Sequence, residues 1–85
     1  MDDVYILSDA MVLNKVGYHL RTLRHKQSIT QQNLAGAANV SLSTMKKMEK
    51  GEIRSFDAFM RVLRTLGQLE VLQPLVEELK LSPSE

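Results

Sequence analysis

The sequence contains no cysteine. Disulfide staples, thiolate metal sites and cysteine nucleophiles are therefore excluded, and packing alone must hold the core. Glycine is scarce, with four residues, and proline scarcer, with two. With so few breakers, most of the chain can be helical. The β-branched residues do not alternate with polar ones, which argues against a sheet. No apolar run approaches the roughly 20 residues that span a bilayer. The first five residues are acidic and lack the basic start of a secretory signal, so a soluble, cytoplasmic protein is expected. Repeats and low-complexity stretches are absent as well.

The 85 residues suffice for one domain. A chain of this size buries somewhat over 60% of its unfolded surface, which leaves no room for a deep active-site cleft. The net charge of +1 says little about partners, but its distribution says more. Residues 15–54 hold eight Lys and Arg against Glu49 and Glu52, while both flanks are net acidic. One cationic region between acidic ends suits an anionic partner, although an ordinary solvated surface would read the same way.

Five segments have helical character. The first runs from Asp9 to Lys26 with Ser8 as its cap. Leu13, Val16, Leu20 and Leu23 form its apolar stripe, and Gly17 allows another backbone to approach. Gln27 and Ser28 break it. The second starts after Thr30, buries Leu34, Ala35 and Ala38, and stops at Asn39, a residue that tolerates the left-handed conformation. The third is capped by Ser41 and stopped by Gly51. Met45 and Met48 face inward and Thr44, Lys46, Lys47 and Lys50 largely outward. The fourth runs from Phe56 to Leu66 behind Ser55, with Phe59, Val62, Leu63 and Leu66 as its stripe and Gly67 as its stop. The fifth, Gln68 to Leu79, carries Leu69, Leu72, Leu75, Val76 and Leu79, and Pro74 kinks or splits it. The expected organisation is an arm over residues 1–8, one all-α domain over 9–80 and a tail over 81–85. About three residues, Asn39 to Ser41, join the second and third segments, and so short a link forces a helix-turn-helix corner.

Leu20-Arg21-Thr22-Leu23-Arg24, Ile29-Thr30-Gln31-Gln32-Asn33-Leu34-Ala35, Asn39-Val40-Ser41, Thr44-Met45 and Met48-Glu49-Lys50-Gly51 resemble, in order and spacing, the XRE-type helix-turn-helix family. That family includes lambda-like repressors and many bacterial regulators and antitoxins. The resemblance covers Val16 to Leu66. It implies a compact five-helix, lambda repressor-like domain that binds a palindromic operator as a dimer and places its third helix in the DNA major groove. By position, it implies a phosphate contact for Gln31, a groove-facing set of Leu42, Ser43, Thr44, Lys46 and Lys47, and an ion pair between Arg24 and Glu49. Asn39 departs from the usual turn glycine. Gly36 departs from a longer helix former, which should weaken the second helix. Leu42 stands where some phage repressors carry glutamine.

These residue types suit DNA. Ser43 and Thr44 can donate to or accept from several bases, Lys46 and Lys47 can reach guanine acceptors or phosphates, and Leu42 can meet a thymine methyl. Gln31 and Gln32 lie where free backbone N–H groups at a helix start attract phosphate. Lys50 and Arg54 flank the exit of the third segment and can grip the backbone, although a basic loop with no specific task is a competing reading of Arg54. Arg24 and Glu49 read best as a structural pair. His19 and His25 fall on different helical faces, so no metal site is expected, and no cofactor. No nucleophile–base pair or phosphate loop marks an enzyme. Two partner classes therefore remain: double-stranded DNA bound by a homodimer, or a toxin held by an antitoxin-type protein that also binds DNA. The apolar residues of the fifth segment and of Val4 to Leu7 are the expected dimer surface.

Overall fold

The computed structural model describes residues 3–77. Among them there is no strand, and five α-helices follow in order: α1 (Asp9–Lys26), α2 (Gln31–Ala38), α3 (Leu42–Glu49), α4 (Phe56–Thr65) and α5 (Gln73–Val76). Single 3-10 turns precede α1 at Val4–Ile6 and α5 at Leu69–Leu72.

The first four helices are bounded by the same two devices. At each start a hydroxyl accepts the N–H three residues on: Ser8 from Met11, Thr30 from Asn33, Ser41 from Thr44 and Ser55 from Ala58. This satisfies one of the four N–H groups that a helix start leaves open. At each end a residue with positive φ turns the chain: Ser28 (56°), Asn39 (58°), Gly51 (92°) and Gly67 (74°). The residue after it donates its N–H back over the last turn, from Ile29 to Arg24 O, Val40 to Ala35 O, Glu52 to Lys47 O and Gln68 to Leu63 O. This is the pairing of the Schellman motif. Short helices with closed ends can thus follow one another with links of only a few residues.

The core gathers one face of each helix. Leu20, Leu34, Met45, Met48 and Val62 are its largest fully buried side chains, joined by Ala35, Ala38, Ala58, Leu63 and Leu66. The spacing of three and four residues along α2, α3 and α4 is what brings these side chains to one side. Val16, Leu23 and Phe59 are half-buried at its edge.

Three expectations differ. Leu13, read as buried, is 38% exposed. The buried residues of α1 are Gly17, Leu20 and Arg24, so the shorter helices cover only its second half and Leu13 overhangs them. The fifth segment is divided, but not at Pro74. The 3-10 turn ends at Leu72 and Pro74 lies in the first turn of α5, where its missing N–H has no helical partner to lose. The Val4 to Leu7 stretch contains a 3-10 turn, started by Asp3 accepting the Tyr5 N–H, rather than a strand. Leu79 and the 81–85 tail lie outside the described residues.

Candidate nucleic-acid interface

The position of α3 is set first by how closely α1 approaches it. A Cβ on Gly17 would clash with Met48 O and sit 2.7 Å from Gly51 N. A Cβ on Gly51 would sit 3.0 Å from the Asn14 Cα. Two glycines therefore let the backbones of α1 and the end of α3 touch, and at Gly51 the positive φ makes the same demand.

An ion pair closes the contact further along. Arg24 Nε donates to Glu49 Oε2 at 2.6 Å and Arg24 Nη2 to Glu49 Oε1 at 3.0 Å. Such a two-pronged pairing fixes orientation as well as distance. Both residues are buried. Arg24 Nη1 also donates to Ile29 O at 2.9 Å, and Gln31 Nε2 to Glu49 Oε1 at 3.0 Å. The Glu49 carboxylate thus joins α1, the start of α2 and α3. Burial would push its carboxyl up. Hydrogen bonds from Arg24 and Gln31, with the charges of Arg24 and Arg21, outweigh that effect and hold it below its ordinary range.

The corner itself is clamped from α4. Arg61 Nε donates to Ala38 O at 3.1 Å and Nη2 to Asn39 O at 3.4 Å, while Nη1 pairs with Asp57 one turn back. Two carbonyls at the end of α2 are thereby satisfied. Gln27 Nε2 joins the ends of α1 and α4 by donating to Leu66 O at 2.8 Å. Sequence reasoning passed over both. Their polar side chains look like solvated helix faces, and only the Asp57–Arg61 spacing of four residues marks a local pair.

With its apolar face buried, α3 presents the opposite one. Leu42, Ser43, Lys46, Lys47 and Lys50 are exposed and surround one shallow depression. Thr44 and Lys47 border a second with Glu52, Arg54 and Ser55, so Lys47 lies between the two. Arg54 is exposed, whereas Thr44 is half-buried and its hydroxyl accepts from Ser41 Oγ at 2.9 Å. That hydroxyl belongs to the helix cap, with its own proton left to donate. The N–H groups of Leu42 and Ser43, in the first turn of α3, have no intrahelical partner.

Gln31 and Gln32 open α2. Gln32 is exposed and Gln31 half-buried. The resemblance implies a phosphate contact for Gln31, but one of its amide hydrogens is already spent on Glu49. A second amide hydrogen and the backbone N–H groups of the first turn of α2 remain for an anion. Among the described residues there is no cluster of His, Asp and Glu that could hold a metal ion, and no helix is long and apolar enough to cross a membrane.

A domain in which two short capped helices meet at a tight turn, the second with a buried apolar face and an exposed cationic one, has helix-turn-helix architecture. A family model described as helix-turn-helix domain matches residues 15–79, about three quarters of the chain. The chain belongs to that family of DNA-binding domains, and the match agrees with the XRE-type resemblance. It also runs on past Leu66 to take in α5. Comparison with curated proteins and with solved structures gave no match.

Proposed function

We propose that the protein is a sequence-specific, double-stranded DNA-binding transcriptional regulator that reads the major groove with α3. The observation that carries this reading is the division of α3. Met45 and Met48 are 0% and 1% exposed, while Leu42, Ser43, Lys46, Lys47 and Lys50 stand together on the outer face. A major groove admits such a helix, and side chains near its start reach base edges while lysines reach phosphates. Lys50 and Arg54 at its exit, with the first turn of α2 and Gln32, would hold flanking phosphates. The reading covers residues 9–80 as the DNA-binding unit.

The protein would act in the cytoplasm as a dimeric repressor or autoregulator on a palindromic operator. Leu75 and Val76 are 76% and 74% exposed, and Val4, Tyr5 and Ile6 are exposed as well. Such surface suits a second copy. It would equally suit a toxin held by an antitoxin-type protein, and co-purification with a second polypeptide would select that reading.

Fluorescence anisotropy with a duplex from immediately upstream of the protein's own gene, against a scrambled duplex, tests specific binding. Tighter, salt-sensitive binding of the upstream duplex is expected for an autoregulator. Equal affinity for both would remove the claim of autoregulation, and no binding at low salt would remove DNA as the partner.

A further inference from the structure

A groove of about 360 Å³ lies along α1, away from the DNA-reading face. Val12, Val16 and Leu23 of α1, Phe59 and Leu63 of α4, and Val71 of the second 3-10 turn make its walls, and Val4 and Leu7 border one end. Three lining residues are polar: Lys15, His19 and Gln68. Lys15 and His19 are one helical turn apart and exposed. Neither has an ion-pair partner among the described residues.

The volume falls at the lower end of the range for small-molecule sites, which are mostly apolar with a few convergent polar groups. Charge complementarity selects the ligand. An alkyl chain matches the walls, and a carboxylate at its end matches the Lys15 ammonium and an imidazole N–H of His19. We propose that this groove binds a medium-chain alkyl carboxylate, with the chain among Val16, Leu23, Phe59 and Val71 and the carboxylate on Lys15 and His19.

The position of the groove favours a ligand over a second copy. Asn14, Gly17 and Arg24 meet α3, whereas Val12, Val16, His19 and Leu23 line the groove. At 3.6 residues per turn these two sets occupy roughly opposite sides of α1. A second copy seated in the groove would leave the two α3 helices facing away from each other, unsuited to one duplex. A small ligand leaves α3 open. Leu20, also in the groove lining, is 1% exposed and belongs to the same core as Met45 and Met48, so an occupant would be felt in the packing that supports α3.

The test is calorimetric titration of the full chain with decanoate, below its aggregation concentration, and in parallel with decanol. Saturable binding of decanoate, tighter than decanol, is expected. Val71→Glu should weaken decanoate by at least about tenfold, because it sets a charge in the apolar wall and repels the carboxylate. Val71 is 55% exposed, so the variant should keep its fold, as circular dichroism would verify. The double variant Lys15→Ala/His19→Ala, also at exposed positions, should bring decanoate down to the level of decanol. Absence of saturable binding would overturn the proposal. So would equal binding of both probes that the double variant leaves unchanged, or a wild-type dimer mass that Val71→Glu abolishes, which would make a second copy the occupant.

Discussion

Arg24 and Glu49 lie 25 positions apart and meet through two hydrogen bonds, at 2.6 and 3.0 Å, beneath the start of α2. Gln31 adds a third bond to the same carboxylate. The side chains are only 10% and 4% exposed, so water cannot replace a missing partner. The reading helix is held at a fixed angle to α1 by charge that is itself shielded from solvent.

Glu49→Ala should therefore cost about 3–5 kcal/mol, the usual penalty for leaving one member of a buried pair uncompensated. Thermal unfolding measures it. DNA binding by this variant should fall because the domain unfolds. An unchanged melting curve would refute the structural role.

The same pair gives a pH dependence. The folded-state carboxyl of Glu49 titrates below its ordinary range, so the unfolded chain binds the proton more readily. The stabilisation is complete above the unfolded carboxylate value, about 4.3, and is lost as pH falls through the lower folded value. The melting temperature should drop in that window, and part of the drop should be absent in Glu49→Gln.

Two glycine substitutions should act in opposite directions. Gly17→Ala places a methyl against Met48 O and Gly51 N, backbone atoms that cannot turn aside. Overpacking of this kind costs about 1–3 kcal/mol. Gly36→Ala meets nothing within 4 Å in the interior of α2. It should gain about 0.4–1 kcal/mol by restricting the unfolded chain. Chemical denaturation of the two variants should move the midpoint to opposite sides of the wild type.

Much of this fold was legible. Ser8, Thr30, Ser41 and Ser55 could be read as caps, and Asn39, Gly51 and Gly67 as stops, because each has a side chain or a missing side chain that suits the local backbone. Ser28 escaped, since serine has no particular affinity for positive φ. Its conformation is imposed by Ile29, which packs against the core while its N–H turns back to Arg24 O. The outward set of α3 was readable from helical periodicity. The engagement of Gln31 with Glu49, of Thr44 with its cap and of Arg61 with the turn was not, because these depend on which helices become neighbours.

Ser28→Gly follows from that reading. A left-handed residue with a Cβ costs roughly 1–2 kcal/mol, partly offset by the greater freedom of glycine in the unfolded chain. A net gain of up to about 1 kcal/mol is expected, visible as a higher melting temperature. A loss of stability would show that Ser28 has an unrecognised favourable role.

The most direct measurement of the central claim is the salt dependence of duplex binding by the wild type and by Lys46→Ala, Lys47→Ala and Lys50→Ala. Each lysine that neutralises a phosphate contributes about 0.9 to the log–log slope. At least one substitution should make the slope shallower by about that amount while the melting temperature stays put, because all three side chains are exposed. Unchanged slopes and affinities in all three variants would show that the outer face of α3 is not where DNA is held.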